Sequence, residues 1–169
     1  MSVTDEYLTN NAAYAAAFAG PLAMPPHRRL AIVACMDARL NVYAMLGLQE
    51  GDAHVIRNAG GAVTEDTIRS LAISQRLLGT RRIMLIHHTD CGMQTFTDDA
   101  FKRQIEDETG IRPRWAPEAF KSLQDDICQS IRRIEVDPFI PHKEDIRGFI
   151  FDVAEGSLSE VRKEHFAAR

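Results

Sequence analysis

The chain has 169 residues, 45% of them hydrophobic and 26% charged. That is the composition of one globular domain able to bury roughly 70% of its unfolded surface without disulfides or a structural metal. Lys and Arg number 20 against 24 Asp and Glu, and the formal charge of −4 excludes a general affinity for nucleic acid or an anionic membrane surface.

Residues 4–18 are helix-prone and rich in alanine, and Gly20, Pro21, Pro25 and Pro26 separate them from the first strand. Residues 1–27 therefore read as an N-terminal helical arm, docked either on a partner subunit or on the chain's own sheet. The apolar stretch at residues 12–19 is far short of the ~20 residues that span a bilayer. With Asp5 and Glu6 ahead of it and the first arginine at Arg28, neither a secretory signal nor a transit peptide is expected. Three cysteines make no disulfide framework and fit a reducing, cytoplasmic compartment.

Residues 28–169 read as a single α/β catalytic domain. Short continuous apolar runs at residues 30–34, 53–56, 83–86 and 148–153 predict strands buried on both faces. Between the second and third, Thr64 is a helix N-cap with Glu65 and Asp66 in the first turn. Ile68, Leu71, Ala72 and Leu78 mark that helix's apolar face, and Gly79 closes it. A second helix is predicted from Pro117 to Val136, on the spacing of Phe120, Leu123, Ile127, Ile131 and Ile134. Glu155 and Gly156 then turn the chain into an edge hairpin at residues 158–161. The alternation predicts an α/β domain, taken here as a mostly parallel sheet of strand order 2-1-3-4 with an edge strand or hairpin, flanked by helices.

Cys35 ends the first predicted strand, and His88 and Cys91 follow the third in a His-x-x-Cys spacing. In a 2-1-3-4 sheet the first and third strands are neighbours whose crossovers leave in opposite directions. The crevice at their C-terminal ends is where such sheets bind ligands. Two thiolates and an imidazole suit Zn²⁺ and leave a fourth tetrahedral position for water. Two other readings stand beside this one. Cys35 is also the kind of small residue that fills a core, and Asp37 or His87 as a fourth ligand would make a closed zinc site in a non-enzymatic interaction domain. Asp37 and Arg39 are spaced to pair with each other, or else to serve as a helix cap and a solvated first-turn residue. His87 and Asp90 are candidates to orient His88 or relay protons, and His54 reads as a satisfied core or subunit-contact residue. Cys128 reads as a partly buried thiol. The pairs Arg81-Arg82, Arg132-Arg133, Asp98-Asp99 and Asp125-Asp126 read as surface charge.

The Cys-x-Asp-x-Arg at Cys35, Asp37 and Arg39, followed by His88 and Cys91, resembles the β-class carbonic anhydrases. The similarity extends through Gly51-Asp52-Ala53-His54-Val55-Ile56-Arg57-Asn58-Ala59-Gly60. Residues 34–40 and 87–93 resemble the short-chain subgroup, which also contains carbonyl sulfide hydrolases. The resemblance implies a β-carbonic-anhydrase-like fold, Zn²⁺ on Cys35, His88 and Cys91, an Asp37–Arg39 catalytic dyad, and a homodimer or homotetramer with exchanged N-terminal helices. The implied activity is reversible hydration of CO₂ to bicarbonate; the alternative on the same scaffold is hydrolysis of carbonyl sulfide to H₂S and CO₂. For the small substrate, Asn58, Gly60, Gly61 and Ala62 form the expected binding loop, because glycines allow close backbone approach. Met36, Leu40, Ala62 and Val63 are expected to line its slot.

Overall fold

The computed structural model describes residues 2–162. Its five strands are β1 (Leu30–Cys35), β2 (Ala53–Asn58), β3 (Arg82–His88), β4 (Asp145–Phe151) and β5 (Leu158–Val161). They form one sheet in the order β2-β1-β3-β4-β5, the first four parallel and β5 antiparallel to β4. This is the expected order with the expected edge hairpin. Five α-helices accompany it among the described residues: α1 (Val3–Ala17), α2 (Val42–Leu46), α3 (Glu65–Arg76), α4 (Asp98–Thr109) and α5 (Leu123–Val136).

β1 shows why its sequence is an unbroken apolar run. Ala31 and Val33 pack on one face with Leu71 of α3 and Ile127 and Ile131 of α5, while Ile32 and Ala34 pack on the other with Val42 and Ile86. Both faces are covered, so no polar alternation is needed. On the α5 side, Gly148 of β4 lies so close to the helix that a Cβ there would overlap Ile127 Cγ2.

Two predicted helix boundaries need correction. α3 is capped by Thr64, whose hydroxyl accepts from the Thr67 N–H, but it ends at Arg76; Leu78 and Gly79 (φ 74°) belong to the turn beyond it. The second predicted helix starts at Leu123, where the Ser122 hydroxyl accepts from the Asp125 N–H. Residues 117–121 are irregular instead, because the Asp98 carboxylate takes the N–H groups of Glu118 and Ala119 and Glu118 has φ 63°. Phe120, expected on that helix, packs with Cys35, Cys91 and Met93. The short α2 and the α4 helix, which is half-buried along one side, were not foreseen. α1 also buries none of its residues, so it does not dock on its own sheet; Tyr14 donates to the Glu50 carboxylate.

Candidate metal centre

β1 and β3 run parallel and in register, with Ala34 beside Ile86. Cys35 and His88 therefore leave the sheet at the same edge, and Cys91 returns to them within one turn. The two sulfurs and one imidazole nitrogen all lie within 4.8 Å of one another, and all three residues are buried. His88 Nδ1 is 2.9 Å from the Thr89 carbonyl, which only accepts, so Nδ1 carries the proton and Nε2 the lone pair. Nε2 is buried with no hydrogen-bond partner. An orphaned imidazole nitrogen facing two thiols is what a zinc ligand set looks like, since the bond to the neighbouring carbonyl fixes both tautomer and ring orientation.

The thiols share their protons unequally. The Cys91 S–H directed at Cys35, helped by His88 and by the backbone N–H groups of Asp37 and Gly60, lowers the Cys35 pKa to about 4 against the opposing effect of burial. Cys91 is pushed up by that same contact and by burial. His88 is pulled down by burial but raised on balance by the facing Cys35 sulfur. The Cys35 side is thus already built to carry thiolate charge, which is the state that binds metal.

Asp37 and Arg39 pair with each other. Arg39 Nε and Nη2 donate to the two Asp37 carboxylate oxygens at 3.0 and 2.8 Å, and the Arg39 N–H adds a third bond at 2.9 Å. The Arg39 bonds hold the Asp37 carboxyl well below the usual carboxylate range. Asp37 Oδ2 lies 3.8 Å from His88 Nε2, beside the donor set but committed to the guanidinium. The next helix takes Asn41 as its cap, so the capping alternative for Asp37 falls away. Arg39 also reaches the other crossover, donating to Asp90 Oδ2 at 2.7 Å and to the Asp90 carbonyl at 2.9 Å. Asp90 therefore braces Arg39 rather than orienting His88.

His87 points the other way, because successive strand residues alternate faces. Its Nε2 is 2.6 Å from Asp126 Oδ2 of α5, and its ring stacks on Phe120 at 5.2 Å between centroids. It is neither a fourth ligand nor a support for His88, and Asp126 is its partner rather than free surface charge. Asp98 holds the loop before α5, and Asp99 pairs with Arg103 and Arg112. His54, read as a core or subunit-contact residue, is half-buried and satisfied, its Nδ1 2.8 Å from Ser74 Oγ. Cys128 is half-buried, as expected.

A cavity of about 320 Å³ opens over Cys35 and Cys91, walled by Met36, Asp37, Ala59, Gly60, Met93 and Phe96. Met36 lines it as expected, whereas Leu40, Ala62 and Val63 are buried away from it. Gly60 alone of the expected binding loop reaches its wall. Asn58 Nδ2 donates to the Ala62 carbonyl at 2.8 Å and to Thr67 Oγ1 at 3.1 Å, tying the loop together from behind. Gly61, at φ 69°, lies so close that a Cβ would come 3.0 Å from the Cys35 nitrogen. Sequence reasoning missed Met93 and Phe96; they lie two and five residues after Cys91, and that nearness was the available signal.

Two cysteine sulfurs and an imidazole at the C-terminal edge of a parallel sheet, open to a small cavity and flanked by a salt-bridged carboxylate, define a metal-dependent enzyme of the α/β class. Residues 30–135 match the family described as carbonic anhydrase. Beta-carbonic anhydrase 1 of Mycobacterium tuberculosis is 67% identical over 161 residues, covering 95% of this chain and 99% of that protein. A carbon disulfide hydrolase of Acidithiobacillus thiooxidans is 32% identical over 166 residues, covering 86% of this chain and 81% of that protein. The crystal structure of carbonic anhydrase from Streptococcus mutans superposes with a TM-score of 0.89 at 41% identity, covering 96% of this chain and 99% of that one. The chain belongs to the carbonic anhydrase family, in its β class.

Proposed function

We propose that this chain is a zinc-dependent carbonic anhydrase that interconverts CO₂ and bicarbonate, with the metal held by Cys35, His88 and Cys91. The observation that carries the reading is the buried, mutually facing donor set with an ionised carboxylate 3.8 Å from its imidazole nitrogen. Zinc at this position supplies a Lewis acid that brings the pKa of water toward neutrality. The chain does the rest. Asp37 accepts a hydrogen bond from the attacking water and so aims its lone pair into the cavity, while Arg39 keeps that carboxylate charged and fixed in direction. Met36, Met93 and Phe96 give an apolar wall suited to a small unhydrated substrate. Gly60 allows close approach there, and its N–H supports the Cys35 sulfur; Asn58, Gly61 and Ala62 shape the substrate loop behind it.

Stopped-flow CO₂ hydration by the zinc-loaded protein, run beside sulfide release from carbonyl sulfide and carbon disulfide, tests the assignment. Saturable hydration with little sulfide release is expected; hydration no faster than in buffer, at one zinc per chain, refutes it. Predominant sulfide release would favour carbonyl sulfide hydrolysis, which the same donor set and the soft Met36 and Met93 walls also suit. Because Asp37 is already ionised far below neutrality, kcat/KM is expected to rise with pH from about 6 to about 9, as the nucleophilic water loses its proton. A flat profile over that range would contradict this account of the nucleophile.

Asp90→Asn is expected to keep zinc and fold and to lower kcat less than about fivefold. The carboxylate it removes is largely exposed, Asp90 keeps its carbonyl bond, and Arg39 keeps both bonds to Asp37. Zinc content and kcat from one preparation check this. The unburied α1 supports assembly as a homodimer or homotetramer in which each arm docks on a neighbouring copy. Among the described residues no helix is long and apolar enough to cross a membrane. The three unpaired thiols support the reading of a reducing, cytoplasmic compartment.

A further inference from the structure

Hydrogen-bonded pairing between β1 and β2 ends at Cys35 and Asn58. Beyond that point the Cys35-Met36-Asp37 arc leaves the sheet, and its carbonyls need partners that the ladder no longer supplies. Arg57, one residue before the end of β2, provides them, sharing the Asp37 carbonyl with the Leu40 N–H at 3.1 Å. Its Nε donates to the Cys35 carbonyl at 2.9 Å and its Nη2 to the Asp37 carbonyl at 2.6 Å. The Met36 N–H completes the hold by donating to the Asn58 carbonyl at 2.8 Å. The end of β2 thus grips the arc at all three of its residues. One planar guanidinium spans the two carbonyls that bracket Met36, a task for which a fork of fixed geometry is suited and a single ammonium is not.

That arc carries both halves of the chemistry. Its first residue brings the sulfur to the donor set, and its last brings the carboxylate to 3.8 Å from His88 Nε2. Arg39 fixes the direction of the Asp37 carboxylate from the side-chain end, but nothing in that pair fixes where the Asp37 backbone stands relative to Cys35. We infer that Arg57 is a positioning residue for the reaction: by clamping the Cys35 and Asp37 carbonyls together it sets the distance between the metal-binding sulfur and the orienting carboxylate. It touches neither substrate nor metal, and its effect on turnover passes through Asp37. The inference rests on the proposed hydration activity for its kinetic readout.

A double-mutant cycle with Asp37 tests it. Arg57→Gln is expected to keep one zinc per chain and an unchanged KM and to lose about tenfold in kcat, as is usual when a group that orients a metal site is removed. In an Asp37→Asn background, where the carboxylate is already lost, the same substitution is expected to cost less than about twofold. An equal loss in both backgrounds, or no loss in either, overturns the inference, because a merely structural arginine would act regardless of Asp37. Arg57→Lys keeps the charge and the apolar stem but cannot span both carbonyls. It is expected to recover only part of kcat, and it carries the same cycle should the glutamine variant fold poorly; full recovery by lysine also overturns the clamp. Co²⁺-loaded protein gives a readout that needs no turnover. The visible bands of Arg57→Gln are expected to differ from those of the unaltered chain at equal cobalt content, and identical bands count against the inference. If the unaltered chain fails to hydrate CO₂ while these bands still differ, the functional assignment fails and the positioning role stands.

Discussion

Cys35→Ser is expected to lose bound zinc and to lower CO₂ hydration on the order of a thousandfold or more, far beyond the effect of any residue that merely supports the site. The hydroxyl stays protonated where the thiol does not: the Cys91, His88, Asp37 and Gly60 donors that lower Cys35 to about 4 would face an oxygen that remains a neutral, weak ligand. Metal analysis and stopped-flow rates on the same sample check both halves. Stripping zinc from the unaltered chain with a chelator is expected to abolish hydration while leaving the far-ultraviolet circular dichroism nearly intact. The reason is where the core lies. The cluster that joins α3 and α5 to β1, β3 and β4 contains neither Cys35, His88 nor Cys91. A cooperative loss of secondary structure on chelation would instead mark the metal as a structural clip and revive the interaction-domain reading.

Gly148→Ala is expected to destabilise the fold by about 1–3 kcal/mol, the usual cost of forcing a methyl into a packed core. In a chain of this size that lowers Tm by roughly 3–10 °C. The added Cβ would overlap Ile127 Cγ2 and sit 3.3 Å from Ile131 Cδ1. Ile127 is β-branched and fully buried on α5, so the clash is met close to the helix backbone rather than at the end of a flexible side chain. The test of cause is compensation. In an Ile127→Ala background, which removes the obstructing methyl, the added cost of Gly148→Ala is expected to shrink or change sign. Thermal melts of the four proteins decide it, and an unchanged cost would place the strain elsewhere.

The parallel sheet and the donor set were legible because each depends on a local pattern that burial cannot disguise. β1, covered on both faces, has to be continuously apolar, and a metal-binding His-x-x-Cys has to keep its spacing. What stayed hidden depends on side chains meeting across the chain. His87 is adjacent to a ligand in sequence, yet strand alternation turns it to the opposite face and onto Asp126, so proximity along the chain misassigned His87, while Asp126 looked like any other surface charge. The start of α5 was set too early because Phe120 has the right spacing for the helix, whereas Asp98, remote in sequence, holds the preceding loop out of helical form. α4 carries usable caps in Thr97 and Gly110, but of its residues only Ala100, Phe101 and Ile105 are apolar, so the face that marks a helix is thin. Arg57 gave no signal, since an arginine that serves main-chain carbonyls looks in sequence like any other strand-end charge.

The grip on the metal is divided between the exits of β1 and β3, strands that become neighbours only after the intervening segment has crossed over the sheet. No short peptide of this chain holds all three donors, so an unravelled polypeptide offers the ion only the His88 and Cys91 pair and holds it weakly. Architecture comes first and charging second. Starvation for the metal is then expected to yield an idle but assembled scaffold that wakes on resupply without any round of refolding.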